Sequence, residues 1–231
     1  MKHPASHSIA CQRMTKTPKF ISLIIFVSIL KLFGCAEQTS KNGTITKTDT
    51  LNQQINESIE TFKNRPIHKV LTTKTIDTTS DDDLLQVVFD NIVEKFPSDY
   101  KKEYQAVLGL TKPQQAIYII WSLEAEVNNG GFNQFYFNSS GQYSDLIPDA
   151  LKMVGALKFA DLTTRANDIF KKENKKITKH QDGTLEGFSK SYEDNPLNKF
   201  DDEFYDLEKS ENLQKLQVDF IRKNKAQFVD K

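Results

Sequence analysis

Cysteine is almost missing from this chain: Cys11 and Cys35 are the two in 231 residues. With no thiol after Cys35, the remainder can hold neither a disulfide framework nor a thiolate metal centre. An exported protein without such staples has to be held together by its apolar core. Histidine is nearly as scarce. Past residue 35 there are only His68 and His180, which leaves histidine metal sites and His-based triads short of material. His180 sits in a turn and reads as a solvated side chain. No nucleophile elbow, phosphate loop or dinucleotide fingerprint occurs. No segment sustains the apolar–polar alternation of a strand, and nothing repeats internally. No cofactor and no metal is expected, and the pattern predicts an all-α protein.

What is present begins with an apolar run, Phe20 to Leu30, of about eleven residues. A spanning helix needs roughly 20, and Lys31 follows directly. Lys16 and Lys19 precede the run and Leu32-Phe33-Gly34-Cys35 closes it. A basic start, a short apolar middle and a small residue before cysteine make an export leader of the lipoprotein kind. Residues 1–34 are then a signal peptide, and Cys35 becomes the lipidated first residue of the mature chain. Met14 opens a tidier leader than Met1, so translation is expected to start at Met14, with Met1 as the alternative. Several acyl chains on one sulfur anchor a protein stably, whereas one chain holds it only marginally. The expected address is a bacterial cell envelope, and Ala36 after the cysteine favours an outer over an inner membrane.

Charge is balanced overall, at 31 basic and 31 acidic residues. The leader removes five basic residues and no acid, leaving 26 against 31, a net of −5. From Asp81 onward the count is 20 basic and 26 acidic, a net of −6. Such a mildly acidic domain is not expected to bind nucleic acid directly. Residues 35–80 are rich in Thr, Lys, Asn, Gln and Ser and poor in apolar side chains, the composition of a flexible tether. Leu51, Ile55, Ile59 and Phe62 nevertheless keep helical spacing.

A helical domain is expected over 81–231. Asp81, Asp82 and Asp83 stand where a helix N-terminus favours negative charge. Leu84, Leu85, Val88, Phe89, Ile92, Val93 and Phe96 follow at helical spacing until Pro97 stops them. Thr111 and Pro113 predict the cap and first turn of a second helix. It runs to Asn128, where Asn128-Asn129-Gly130-Gly131 ends it. Ile147–157 and 162–170 read as two more helices, with Asp145 as cap of the first. A last helix starts near Asn212.

The segment Glu124-Ala-Glu-Val-Asn-Asn-Gly-Gly-Phe-Asn-Gln-Phe-Tyr-Phe-Asn-Ser-Ser-Gly141 stands apart. It sets Asn128, Asn129, Asn133, Gln134 and Asn138 among Phe132, Phe135, Tyr136 and Phe137 around Gly130 and Gly131. Two readings are open. Either this is a helix–turn–helix corner whose amides serve buried backbone, or it is a recognition corner. Glu124 and Glu126 make a poor pair for glycoside hydrolysis, since residues two apart on a helix point about 200° from one another. The acids Asp201, Asp202 and Glu203, with Asp206, Glu208 and Glu211 beyond them, form a second candidate surface.

This signature, together with Phe200-Asp-Asp-Glu-Phe-Tyr-Asp-Leu207, resembles the DNA-mimic-protein family of small bacterial helical domains over roughly Leu84 to Val229. The resemblance implies an all-helical single domain that can pair as a homodimer, and, from one characterised relative, imitation of DNA toward a transcription factor. Duplex DNA carries one charge per about 1.7 Å of axis, a density that lysines 171, 172, 175, 176 and 179 interrupt here. The expected function is therefore a membrane-anchored, non-catalytic domain that binds another protein. The alternatives are a cell-envelope hydrolase using Glu124 and neighbouring amides, and an acidic DNA mimic.

Overall fold

The computed structural model describes residues 47–182 and 184–230. The leader, Cys35 and the start of the tether lie outside them. Every regular element among the described residues is helical. Ten α-helices follow in order: α1 (Lys47–Lys63), α2 (Thr73–Thr78), α3 (Asp81–Glu94), α4 (Glu103–Leu108), α5 (Lys112–Phe137), α6 (Ile147–Val154), α7 (Leu157–Ile177), α8 (Leu185–Lys190), α9 (Asn198–Glu208) and α10 (Leu213–Lys223).

Local chemistry sets many of these boundaries. Ser80 caps α3, accepting from the Asp83 amide at 3.3 Å, and Asp81–Asp83 fill its first turn. Thr111 and Gln114 form a reciprocal capping box at the start of α5, with Pro113 in the first turn, satisfying two amides that no helical carbonyl reaches. Asn212 caps α10 through the Lys215 amide at 2.7 Å. Contrary to the expectation from sequence, Asp145 does not cap α6: the helix starts after Leu146 with no side-chain cap, and the Asp145 carboxylate holds Lys171 at 2.7 Å instead. The start of α7 is served from a distance: Glu211 accepts from the amides of Lys158 (3.1 Å) and Phe159 (3.2 Å).

Helix α5 is central, packing against α3, α4, α6, α7 and α9, while α10 bridges α3 and α6. Its buried face carries Ile117, Ile120, Leu123 and Val127. Aromatic rings knit the layers. Phe89 of α3 stacks on Trp121 of α5 with centroids 3.7 Å apart, and Phe132 meets Phe200 and Phe204 of α9 edge-on.

The expected tether boundary at residue 80 is corrected. Phe62, Leu71 and Ile76 are buried in the same core as α3 and α5, so the folded unit includes much of the stretch read as linker. Three links fasten it. Arg65 stacks over the Phe62 ring at 3.6 Å and grips buried Asp90 with two nitrogens, at 2.6 and 2.7 Å. Arg222 of α10 donates to the carbonyls of Ile76 (2.7 Å) and Thr79 (2.9 Å). Leu71 and Asp230 exchange hydrogen bonds at 2.7 and 2.9 Å. His68, assigned to the tether from sequence, lies in this folded stretch, its carbonyl accepting from Asn91 at 2.9 Å.

Candidate functional site

The signature 124–141 lies across a break in α5. Gly130 (φ −163°, ψ 29°) and Gly131 (φ 68°, ψ −174°) leave helical geometry, after which Phe132–Phe137 forms a second short arm. A break deep in a helical core strands backbone groups that must find partners. Here they find side chains from the C-terminal half. The Tyr205 hydroxyl donates to the Val127 carbonyl at 2.9 Å, and the Tyr192 hydroxyl to the Gly130 carbonyl at 2.8 Å. The Phe132 amide donates to Asp201 Oδ1 at 2.7 Å. Burial outweighs that bond and raises the Asp201 carboxyl to about 6, the nearby Asp202 charge adding to the rise. Both glycines are required. A Cβ on Gly131 would sit 2.2 Å from Asp201 Oδ2, and one on Gly130 would sit 2.4 Å from Gln134 Oε1 and 2.6 Å from the Tyr192 hydroxyl.

Inside the corner, Glu126 is a buried hub. Its Oε2 accepts from Gln134 Nε2 (2.7 Å) and Asn138 Nδ2 (2.8 Å), and its Oε1 from Ser140 Oγ (2.8 Å). Asn129 donates in turn to Gln134 Oε1 at 2.9 Å. A second network ties the corner to the loop before α9. Asn133, 0% exposed, donates to Ser191 Oγ (2.7 Å) and accepts from Asn195 Nδ2 (2.9 Å). Tyr136 donates to Asn167 at 2.6 Å and stacks on Phe170; burial raises its phenol above the usual range. Asn133 and Gln134 are thus turned inward, and of the candidate polar residues of the signature only Asn129 and Asn138 are exposed.

Glu124 and Asn128 face elsewhere, as two residues half a turn out of phase with Glu126 must. They help line a groove of about 670 Å³ between α1, α3 and α5. Glu124 Oε2 accepts from Gln217 Nε2 at 2.8 Å, and Gln217 Oε1 is buried without a partner. Although the residue is only partly shielded, its carboxyl group is enclosed. That enclosure lifts it to about 8 against the opposing pull of the Gln217 bond, and Glu208 pushes the same way.

The C-terminal acids are largely occupied within the fold. Glu203 is held by Arg165, Asp206 by Lys209 at 2.7 Å, while Asp201 and Glu211 serve backbone amides. Asp202 remains exposed. Sequence reasoning grouped Glu124 and Asn128 with Asn129, Asn133, Gln134 and Asn138, which the structure separates into groove and corner. It assigned Asp201 to a separate acidic surface, whereas the structure places it in the corner. It set Glu126 aside as a poor catalytic partner of Glu124 and passed over Tyr192, Ser191, Asn195 and Tyr205. For Glu126 a signal existed, since Gln134 and Asn138 follow it by 8 and 12 residues. The tyrosines act across 62 and 78 residues of sequence, with no local mark.

Among the described residues, no group of three His, Cys, Asp or Glu side chains is placed to hold a metal ion, and no helix is long and apolar enough to cross a membrane. The described residues form an assembly of helices around a glycine-broken central helix whose freed backbone groups are clamped by tyrosine and aspartate. Residues 108–224 match the family model described as DMP19-like protein. The chain belongs to that family. Comparison with curated proteins and with solved structures gives no match.

Proposed function

We propose that this chain is a lipoprotein held on the bacterial envelope through Cys35, and that its DMP19-like domain works by binding another protein, without catalysis. The leader pattern around residues 16–35 supports the anchor. One observation carries the non-catalytic part: Asn129, Asn133, Gln134 and Asn138 are committed to the Glu126 and Asn133 networks on another side of α5, which leaves Asn128 as the signature amide beside Glu124 in the groove. What α5 leaves open to a partner is the groove beside Glu124.

Two further readings each have one observation behind them. A carboxyl raised to about 8 in a groove is a feature of general acids, which favours the envelope hydrolase. Family membership favours DNA imitation, but a mimic must present rows of unpaired acids, and Glu203, Asp206, Asp201 and Glu211 are engaged internally. The test uses the intact gene with Cys35→Ser as partner variant. Wild type is expected in the membrane fraction carrying labelled palmitate and cross-linked to a discrete protein, and the variant released and unlabelled. Both forms soluble in the cytosol would overturn the anchor. Turnover of a wall or glycan substrate that Glu124→Gln abolishes would replace binding by catalysis.

A further inference from the structure

The groove beside Glu124 is built by four elements and lined mainly by acidic, polar and aromatic side chains. Helix α1 contributes Glu57, α3 contributes Asp82 and Asp83, α5 contributes Glu124 and Trp121, and Gln214 of α10 stands with them. Among the described residues, Arg65 is the one basic side chain in the lining, and it is already spent. Its guanidinium is shared between both oxygens of Asp90 and the Phe62 carbonyl, and it lies over the Phe62 ring. The groove therefore presents four carboxyl groups that pair with no cation among the described residues, beside an indole braced from behind by Phe89. We infer that it binds a basic segment of the partner protein, a lysine or arginine side chain entering between Glu57, Asp82, Asp83 and Glu124. This rests on the partner-binding reading above and specifies its site.

Three features select that occupant. The volume, about 670 Å³, lies in the range of pockets that enclose an organic group (about 300–1,000 Å³). A bare metal ion is disfavoured because the carboxylates are spread along the groove, with no three ligating groups gathered among the described residues. A long side chain with a charged tip and an apolar stem suits such a lining, acids for the tip and Trp121, Leu85 and Phe62 for the stem. Carboxylates of one sign in a concave site also steer a cation toward it before contact.

The site has a proton signature. Glu124 is faced by Gln217 and Glu208 from outside the groove, and shares the groove with Glu57, Asp82, Asp83 and the already paired Arg65. An arriving cation favours the ionised carboxylate, so binding expels a proton from Glu124 wherever it was protonated beforehand. Affinity then rises with pH by up to about tenfold per unit as pH climbs toward about 8, and levels off above.

The experiment measures fluorescence anisotropy of a labelled peptide of alternating lysine and glycine against the mature chain with Cys35→Ser, and against the same peptide with acetylated lysines. The charged peptide is expected to bind at least tenfold tighter and to weaken in salt. Glu57→Gln combined with Asp82→Asn is expected to weaken it about tenfold while the circular dichroism spectrum stays unchanged. Glu124→Gln should flatten the pH dependence. The control Lys172→Gln with Lys175→Gln, on exposed α7, should change nothing. Equal affinity for both peptides, or for wild type and the Glu57/Asp82 variant, overturns the inference. A discrete cross-linked partner in cells that the Glu57/Asp82 variant keeps sinks the groove and leaves the partner-binding reading standing; no cross-linked partner for either protein sinks that reading itself.

Discussion

Replacing Gly131 by alanine tests whether the corner at the α5 break is held as described. Gly131 sits at φ 68°, ψ −174°, a region that side chains other than hydrogen essentially do not visit, at a cost of about 1–3 kcal/mol. The new methyl would also lie 2.2 Å from Asp201 Oδ2, so the carboxylate has to withdraw. Its bond to the Phe132 amide, 2.7 Å long, goes with it. A buried amide left without an acceptor costs about 1–3 kcal/mol more, against which alanine recovers about 0.4–1 kcal/mol by restricting the unfolded chain. The balance is a loss of about 1–6 kcal/mol, or a melting temperature lower by roughly 2–24 °C for a domain of this size. Urea unfolding followed by circular dichroism on the mature chain measures it. Gly131→Ala combined with Asp201→Ala should lose less than the two single changes summed, because the clash needs both groups. A Gly131→Ala protein within about 0.5 kcal/mol of wild type, the scatter of an ordinary surface substitution, would refute the reasoning.

Glu126→Gln places an NH₂ against the donors of Gln134, Asn138 or Ser140 and is expected to destabilise by about 2–3 kcal/mol, with the same unfolding assay deciding. Stability should fall as pH rises. The folded values of Asp201 and Glu124, about 6 and about 8, lie above their ordinary 3.8 and 4.5, so the folded state holds extra protons in between. The stabilisation is complete below those ordinary values and disappears as pH climbs through about 6 for Asp201 and about 8 for Glu124. Urea midpoints from pH 4 to 9 check it, with Glu124→Gln removing the upper limb; a flat or rising profile there would refute the assignment. Arg65→Ala strands the buried Asp90 carboxylate, a loss of about 3–5 kcal/mol, and should make amides of α1 exchange with solvent well before those of α5.

Much of the helical plan was legible because it rests on local chemistry. Asp81–Asp83, Thr111 with Pro113, and Asn212 each announce a helix start within a few residues, and paired glycines announce the break. The linker reading failed for a physical reason. Polar composition outweighed the helical spacing that ends at Phe62, and Leu71 and Ile76 lie in segments too short to show a period, though all three are buried in the core. Helix α9 was hidden similarly: Phe200 and Phe204 have helical spacing, but five acids between Asp201 and Glu208 mask it. The candidate site was half legible. Its residues were identified, but which of two directions each one faced depended on partners far away in sequence, such as Gln217 for Glu124 and Ser191 for Asn133.

The extent of the family match divides the two sites. The broken helix and all its clamps, Glu126, Asp201, Tyr192 and Tyr205 included, lie within residues 108–224. Only one wall of the groove does, the one carrying Trp121, Glu124, Asn128 and Gln214; the other wall, with Glu57, Asp82 and Asp83, belongs to α1 and α3, before the match begins. A corner that closes on itself explains a scaffold, since its hydrogen bonds are satisfied without any ligand. On the proposal made above, a groove completed by elements outside the matched segment sets what this particular chain recognises. Grafting α1 to α3 of this protein onto another DMP19-like domain should therefore carry affinity for the lysine peptide with it, whereas exchanging the corner residues should alter stability and leave that affinity in place.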